Sequence, residues 1–204
     1  NKDTTAWLAE IKPQENQVLS FTISARTEPP VNSSGPPAVA AQATLRAKLG
    51  DQDVIIASDE NKTPILTNIE LDSLGNYVSG PNPPLPDQAT IYNIVWKLGP
   101  TSSELKDALW SAVLPKGVKW LNDTDFNLGE LKYKPDTNRV EWRASKITKL
   151  TEPVNIKFKI SAAPTGEVTN NYIIFDQTSF SATDSLAGET LSLFTTAVKL
   201  GDVK

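Results

Sequence analysis

The 204-residue chain contains no cysteine, no histidine and no methionine. Without cysteine there is no disulfide framework, no thiol nucleophile and no thiolate metal site. Without histidine the usual base near neutral pH and the commonest zinc ligand are missing too. This excludes Ser-His-Asp and Cys-His catalysis and most transition-metal chemistry. Carboxylate, lysine, tyrosine or Ser-Lys chemistry remains open. There is no run of basic residues either: 20 lysines and arginines stand against 24 acidic residues, a formal net charge of -4. A positive stripe for a phosphate backbone is therefore absent, and nucleic acid is not an expected partner. No stretch approaches the ~20 apolar residues of a helical membrane span, and no signal peptide is visible. A chain that opens on Asn1 and lacks methionine reads as a mature or excised piece of a longer precursor. The lack of cysteine fits a bacterial or archaeal surface protein better than a eukaryotic secreted domain, which would ordinarily use disulfides.

What the chain does have is strand and turn chemistry. Fifteen prolines accompany abundant serine, threonine and asparagine, the composition of turns and rigid connections. Residues 91–98 (IYNIVWKL) are apolar and rich in strand-forming types. Residues 105–114 (LKDALWSAVL) fit a strand or a short helix until Pro115-Lys116-Gly117 ends them. Residues 128–134 and 139–144 flank Pro135-Asp136-Thr137-Asn138, the spacing of a hairpin with a four-residue turn. Over 154–162, Val154, Ile156, Phe158 and Ile160 alternate with Asn155, Lys157, Lys159 and Ser161, the mark of a half-buried antiparallel strand. With 172–183 and 189–200 added, about seven short strands in residues 90–204 predict a complete antiparallel β-sandwich.

The first third echoes the last. Trp7, Phe21, Ile23 and Ser24-Ala25 match Trp142, Phe158, Ile160 and Ser161-Ala162, with a period of about 135 residues. Downstream, residues 43–49 parallel 178–184, and 54–56 parallel 190–192. In this register residues 1–71 are the C-terminal part of a repeat and lack counterparts of 90–138. A half-sandwich exposes an apolar face and an unpaired edge. The expected partners are therefore neighbouring repeats or subunits of the same protein, joined by strand complementation where the copy is incomplete. Residues 72–89 (DSLGNYVSGPNPPLPDQA) read as a proline-rich, semi-rigid linker between the two copies.

A set of motifs adds a family resemblance. It comprises Gly80-Pro81 and Pro83-Pro84, then Thr90-Ile91-Tyr92-Asn93-Ile94-Val95-Trp96. Leu114-Pro115-Lys116-Gly117-Val118-Lys119-Trp120 follows, then Leu131-Lys132-Tyr133-Lys134-Pro135 and Val140-Glu141-Trp142. It resembles the conserved-repeat immunoglobulin-like domains of bacterial cell-surface proteins, over residues 72–204 and again in the partial copy at 1–71. The resemblance implies tandem immunoglobulin-like antiparallel sandwiches that build extracellular fibres, stalks or surface layers. It carries over no catalytic, cofactor or metal residues. The loop at Gly99-Pro100-Thr101-Ser102-Ser103 departs from the usual pattern.

Several groups could carry chemistry. Of the five tryptophans, Trp7, Trp96 and Trp142 are expected in the core, since a scaffold position repeats with the scaffold; Trp110 and Trp120 are left open between core and a sugar-binding face. Asp51, Asp53, Asp59 and Glu60, and separately Asp123 and Asp125, offer oxygen donors to Ca²⁺. Asn122-Asp123-Thr124-Asp125 lacks the glycine and the distal glutamate of an EF-hand loop and is expected to be a solvated turn. Glu130 and Glu141 lie near the two arms of the hairpin, and paired carboxylates are what glycoside hydrolysis needs, yet the flanking Val140 and Trp142 predict that Glu141 points outward as an exposed charge. A Lys-Asn isopeptide crosslink would need a buried lysine, an amide and an acid, and no such triad can be selected from the sequence. Asn32, Asn61 and Asn122 head glycosylation sequons. The expectation is a non-enzymatic extracellular structural module without cofactor. The alternative is an adhesin-like module that binds protein or glycan through its loops.

Overall fold

The structure is a computed structural model and describes residues 38–49 and 51–204. Trp7 and the strands expected over 17–25 lie outside the described residues, and so do the sequon at Asn32 and the N-terminal half of the proposed duplication.

Two long strands, β1 (Ala38–Leu49) and β2 (Gln52–Pro64), form an antiparallel hairpin with a register shift at Leu45/Arg46. Among the described strands they pair with each other alone. The rest of the described chain is an antiparallel sandwich. One sheet has the order β3-β4-β9-β6, built from Leu71–Ser79, Thr90–Leu98, Val154–Ala162 and Val118–Asp125. The other has the order β12-β11-β5-β8-β7, from Thr190–Thr195, Thr178–Asp184, Leu105–Val113, Arg139–Ile147 and Glu130–Lys134. Two short strands, β10 (Ile173–Phe175) and β13 (Val198–Lys199), pair beside them. The order β3-β4-β9-β6 against β12-β11-β5 is that of the A-B-E-D and G-F-C strands of the immunoglobulin sandwich. The β7–β8 hairpin widens the second sheet beyond the C position.

Alternation places the core. Tyr92, Ile94, Trp96 and Leu98 of β4 and Val154, Ile156, Phe158 and Ile160 of β9 are buried, as period two demands of a sheet with one covered face. The ambiguous segment at 105–114 is a strand. Asp107, at φ 51°, interrupts its alternation with a bulge, so that Leu105 and then Ala108, Trp110 and Ala112 face inward. Between the sheets Trp96 of β4 stacks on Trp110 of β5, with ring centroids 5.1 Å apart and planes 10° from parallel. Phe158 meets Trp96 edge-on and Phe180 meets Trp110 edge-on. Trp110 Nε1 donates to Thr178 Oγ1 at 2.6 Å, and that hydroxyl lies 2.8 Å from Thr195 Oγ1. Trp96 Nε1 is buried with no hydrogen-bond partner among the described residues.

The hairpin turn at 135–138 forms where expected. Asn138, at φ 50°, donates its side-chain amide to Leu114 O at 2.8 Å and accepts from Tyr133 Oη at 2.6 Å. The linker boundary is corrected: residues 72–79 belong to β3, which pairs along β4 from Leu71↔Leu98 to Ser79↔Ile91. Only 80–89 connect, so the sandwich draws an edge strand from before residue 90. The proline density that suggested a spacer begins at Pro81. Gly75, a strand breaker by propensity, sits in β3 because a Cβ there would lie 2.9 Å from Val198 Cγ1 and 3.0 Å from Ile174 Cδ1.

Trp110→Phe is expected to cost more stability than Trp96→Phe, by about 1 kcal/mol, because the first abandons a buried hydrogen bond and the second removes an unsatisfied donor. Trp→Ala at either position is expected to cost about 3–5 kcal/mol. Equilibrium denaturation of the four variants checks the order.

Candidate functional site

The expected site residues fall into separate places. Trp96, Trp110 and Trp142 are buried, which assigns all three to the core; Trp142 Nε1 donates to Leu128 O at 2.7 Å. Trp120 is half-buried. It stacks on Tyr133 with centroids 5.8 Å apart and leans on Phe158. Trp120 sits on the edge strand β6 and Tyr133 on the edge strand β7, so the pair closes the core where the two sheets end.

The Asn122–Asp125 segment is not a turn. It lies on β6, where Asn122, at φ 55°, and a register shift between Trp120 and Thr124 make a bulge. The adjacent strand β9 offers lysines at the right rise, so Lys159 Nζ reaches Asp123 Oδ2 at 2.7 Å and Lys157 Nζ reaches Asp125 Oδ2 at 2.8 Å. Both carboxylates thus carry an ammonium partner. Asp51, Asp53, Asp59 and Glu60 are exposed on the β1–β2 hairpin. Among the described residues no group of three acidic side chains converges as a metal site would require.

Glu141 corrects a second expectation. It does lie on the outer face of the five-stranded sheet, but it is buried, at 7 % exposure. The basic side chains around it explain this: Lys134 Nζ lies 2.9 Å from Oε1, and Arg143 Nη2 lies 2.9 Å from Oε2. Long basic side chains lay their stems over the sheet and cover the acid. The hydrogen bond from Lys134 holds the carboxyl below the ordinary glutamate range; burial opposes it and Arg143 adds to it. Glu130 stands opposite Arg143, not Glu141, and is paired with Lys132 Nζ at 2.7 Å. Each carboxylate therefore has its own cation, and the two do not form an acid/base pair across a substrate.

Two further features were missed in the sequence. Asp184 is fully buried at the end of β11. The strict alternation of Thr178, Phe180, Ala182 and Asp184 puts it on the core face, and that signal was present in the sequence. Tyr92, on the inner face of β4, has its hydroxyl buried without a partner among the described residues. Burial, with Tyr172 and Tyr77 nearby, pushes it up to about 12, so it stays protonated at neutral pH. On the opposite flank from Trp120, a surface groove of about 470 Å³ runs between Leu71–Gly75 of β3 and Phe194–Val198. Phe194 stands beside it at 67 % exposure.

No known family model matches the chain, and no curated protein matches it. Among solved structures it is similar to a variant of BcpA, the major pilin subunit of Bacillus cereus (10 % identity, 80 % of this chain, 47 % of that one, TM-score 0.45). It is similar also to the major pilin SpaD of Corynebacterium diphtheriae (12 %, 62 % and 34 %, TM-score 0.40). A third likeness is to the N-terminal domains of the type V pili tip protein Mfa5 of Porphyromonas gingivalis (12 %, 48 % and 22 %, TM-score 0.40). The chain spans less than half the length of each. Among the described residues no helix is long and apolar enough to cross a membrane.

Glu141→Ala is expected to destabilise the sandwich by about 1 kcal/mol at pH 7, because its partners Lys134 and Arg143 are solvated enough to return to water. The folded-state pKa of Glu141 is depressed. Its contribution is therefore complete above the unfolded value of about 4.3 and fades as pH falls through the lower folded value. Denaturation curves of wild type and variant should differ most at pH 7, and the difference should shrink steadily as the pH is lowered below about 4.

Proposed function

We propose that the chain is a structural repeat module of an extracellular fibre, stalk or surface layer of a bacterium, with no enzymatic role. The observation that carries this reading is the use to which its chemistry-bearing groups are put. Trp96, Trp110 and Trp142 fill the core, Glu141 ties β7 to β8, and Asp123 and Asp125 tie β6 to β9. Every one of these contacts joins strand to strand or sheet to sheet.

The hairpin supports a repeated architecture. The sequence duplication sets 43–49 against 178–184 and 54–56 against 190–192, and both segment pairs are antiparallel hairpins, β1–β2 and β11–β12. In the sandwich, β11 goes on to pair with β5; β1 and β2 have no third strand among the described residues. Ile55 and Ile56 are each 62 % exposed. Two-stranded hairpins are marginal alone in water, which favours neighbouring repeats or subunits of the same protein, joined by strand complementation, as the partner. On this reading residues 1–71 remain the C-terminal part of one repeat and the sandwich is the next.

A second reading, an adhesin-like module, is favoured by Phe194 and its groove. Exposed aromatics beside a concave surface suit a sugar ring or a peptide side chain.

Immunogold electron microscopy of producing cells, with antibody against the sandwich, tests the first reading. Label in rows or a continuous layer outside the cell is expected, and cytoplasmic label would contradict it. If the adhesin reading holds instead, Phe194→Ser abolishes binding to glycan or host-protein arrays while stability stays within about 0.5 kcal/mol.

A further inference from the structure

Asp184 is an inward-facing carboxylate with no exposure, and its two oxygens serve different pieces of chain. Oδ1 accepts hydrogen bonds from Leu186 N at 2.8 Å, Ala187 N at 3.3 Å and Ser103 Oγ at 3.0 Å. These organise the loop after β11 and bind it to the loop before β5. Oδ2 accepts from Thr67 N at 2.6 Å, across 117 positions of sequence. Thr67 lies in residues 65–70, the connection between the β1–β2 hairpin and the first strand of the sandwich. The threonine hydroxyl contacts Ser102 Oγ and accepts from Ser103 N at 3.0 Å. Thr67 is buried at 8 %, while its neighbours Ile65 and Leu66 are 44 % and 41 % exposed. The connection is thus anchored at Thr67, by the Asp184 carboxylate on its N–H and by Ser102 and Ser103 on its hydroxyl; downstream, Ile69 packs against the core and Gly99 N donates to Glu70 O at 2.8 Å.

We propose that Asp184 is a latch that fixes the joint between the β1–β2 hairpin and the sandwich, and that loss of its charge frees the joint while the sandwich stays folded. The core survives loss of the contact, because the tryptophan stack lies elsewhere and Asp184 closes only the last rung of the β11–β5 ladder, opposite Leu105. The joint does depend on it, because residues 65–70 form no strand of their own.

The charged groups nearby leave the latch to neutral donors. Glu104, just before β5, is held by Lys146 Nζ at 2.7 Å and approached by Ser185 Oγ at 3.4 Å. Lys106 stands opposite Thr183, Glu189 meets Asp184 through backbone alone, and Glu70 closes the connection. Among the described residues none of these side chains hydrogen-bonds to Asp184. Burial pushes the Asp184 carboxyl up, but the bonds from Thr67, Leu186, Ser103 and Ala187 outweigh it and hold the group below the ordinary aspartate range. A depressed folded-state value means the latch is fully closed above about pH 3.9 and opens as pH falls through the lower folded value.

Asp184→Asn tests this selectively. An asparagine can keep its single carbonyl oxygen toward the three donors at Oδ1, which turns its NH₂ against the Thr67 N–H, donor facing donor. Amide hydrogen exchange by NMR on the full chain reads the joint, and near-UV circular dichroism of the tryptophans reads the sandwich. Thr67 protection should fall about tenfold or more at pH 7 with the tryptophan signal intact. Ser103→Ala should loosen Thr67 less, and lowering the pH of wild type should reproduce the asparagine variant. Equal Thr67 protection in wild type and Asp184→Asn would overturn the latch. If Asp184→Asn does not fold, Ser103→Ala and the wild-type pH series decide: loosening of Thr67 that always coincides with loss of the tryptophan signal overturns it as well.

Discussion

The two sheets are joined through the stack of Trp96 on Trp110. In immunoglobulin sandwiches a disulfide between the B and F strands commonly crosses the core, with a tryptophan of strand C against it. This chain has no cysteine. Its C-position strand supplies Trp110, its B-position strand supplies a second tryptophan, and its F-position strand supplies Phe180. Aromatic pairs in offset or edge-on contact contribute about 0.5–1.5 kcal/mol beyond their area. A cluster that also includes Phe158 and Phe175 fills between the sheets the place a disulfide would hold. Unlike a disulfide, such a crosslink needs no oxidising compartment to form.

Around that stack, polar chemistry is spent on cohesion. Glu141 and its two cations close the outer face of one sheet, the Asp123 and Asp125 pairs tie an edge strand of the other, and Trp120 with Tyr133 seals the flank. Exposed ion pairs contribute little singly, but on edge strands charged side chains also discourage unwanted strand addition. The β1–β2 hairpin lacks such a sandwich around it among the described residues.

Much of this was legible in the sequence. Period two over 154–162 and 91–98 gave the central strands and their buried faces. The Pro135–Asn138 turn gave the β7–β8 hairpin, since asparagine tolerates the positive φ found at 138. The rest failed for local reasons. Residues 71–79 carry glycine, asparagine and two serines, so propensity hides a strand whose glycine is required by Val198 and Ile174, distant in sequence. The bulge at Asp107 breaks the alternation that would have separated strand from helix at 105–114. The burial of Glu141 depends on Lys134 and Arg143 folding over it, a property of pairing register that flanking residues do not reveal. Asp184 is the opposite case: its place on the inner face follows from counting by twos, and only its partners, Thr67 and Ser103, needed the fold.

The sandwich is held by a direct interaction between Trp96 and Trp110, rather than by two independently buried side chains. A double-mutant cycle with Trp96→Leu, Trp110→Leu and the double variant, read by equilibrium denaturation, tests it most directly. A coupling energy of about 0.5–1.5 kcal/mol is predicted. Additive losses, with no coupling beyond error, would contradict it.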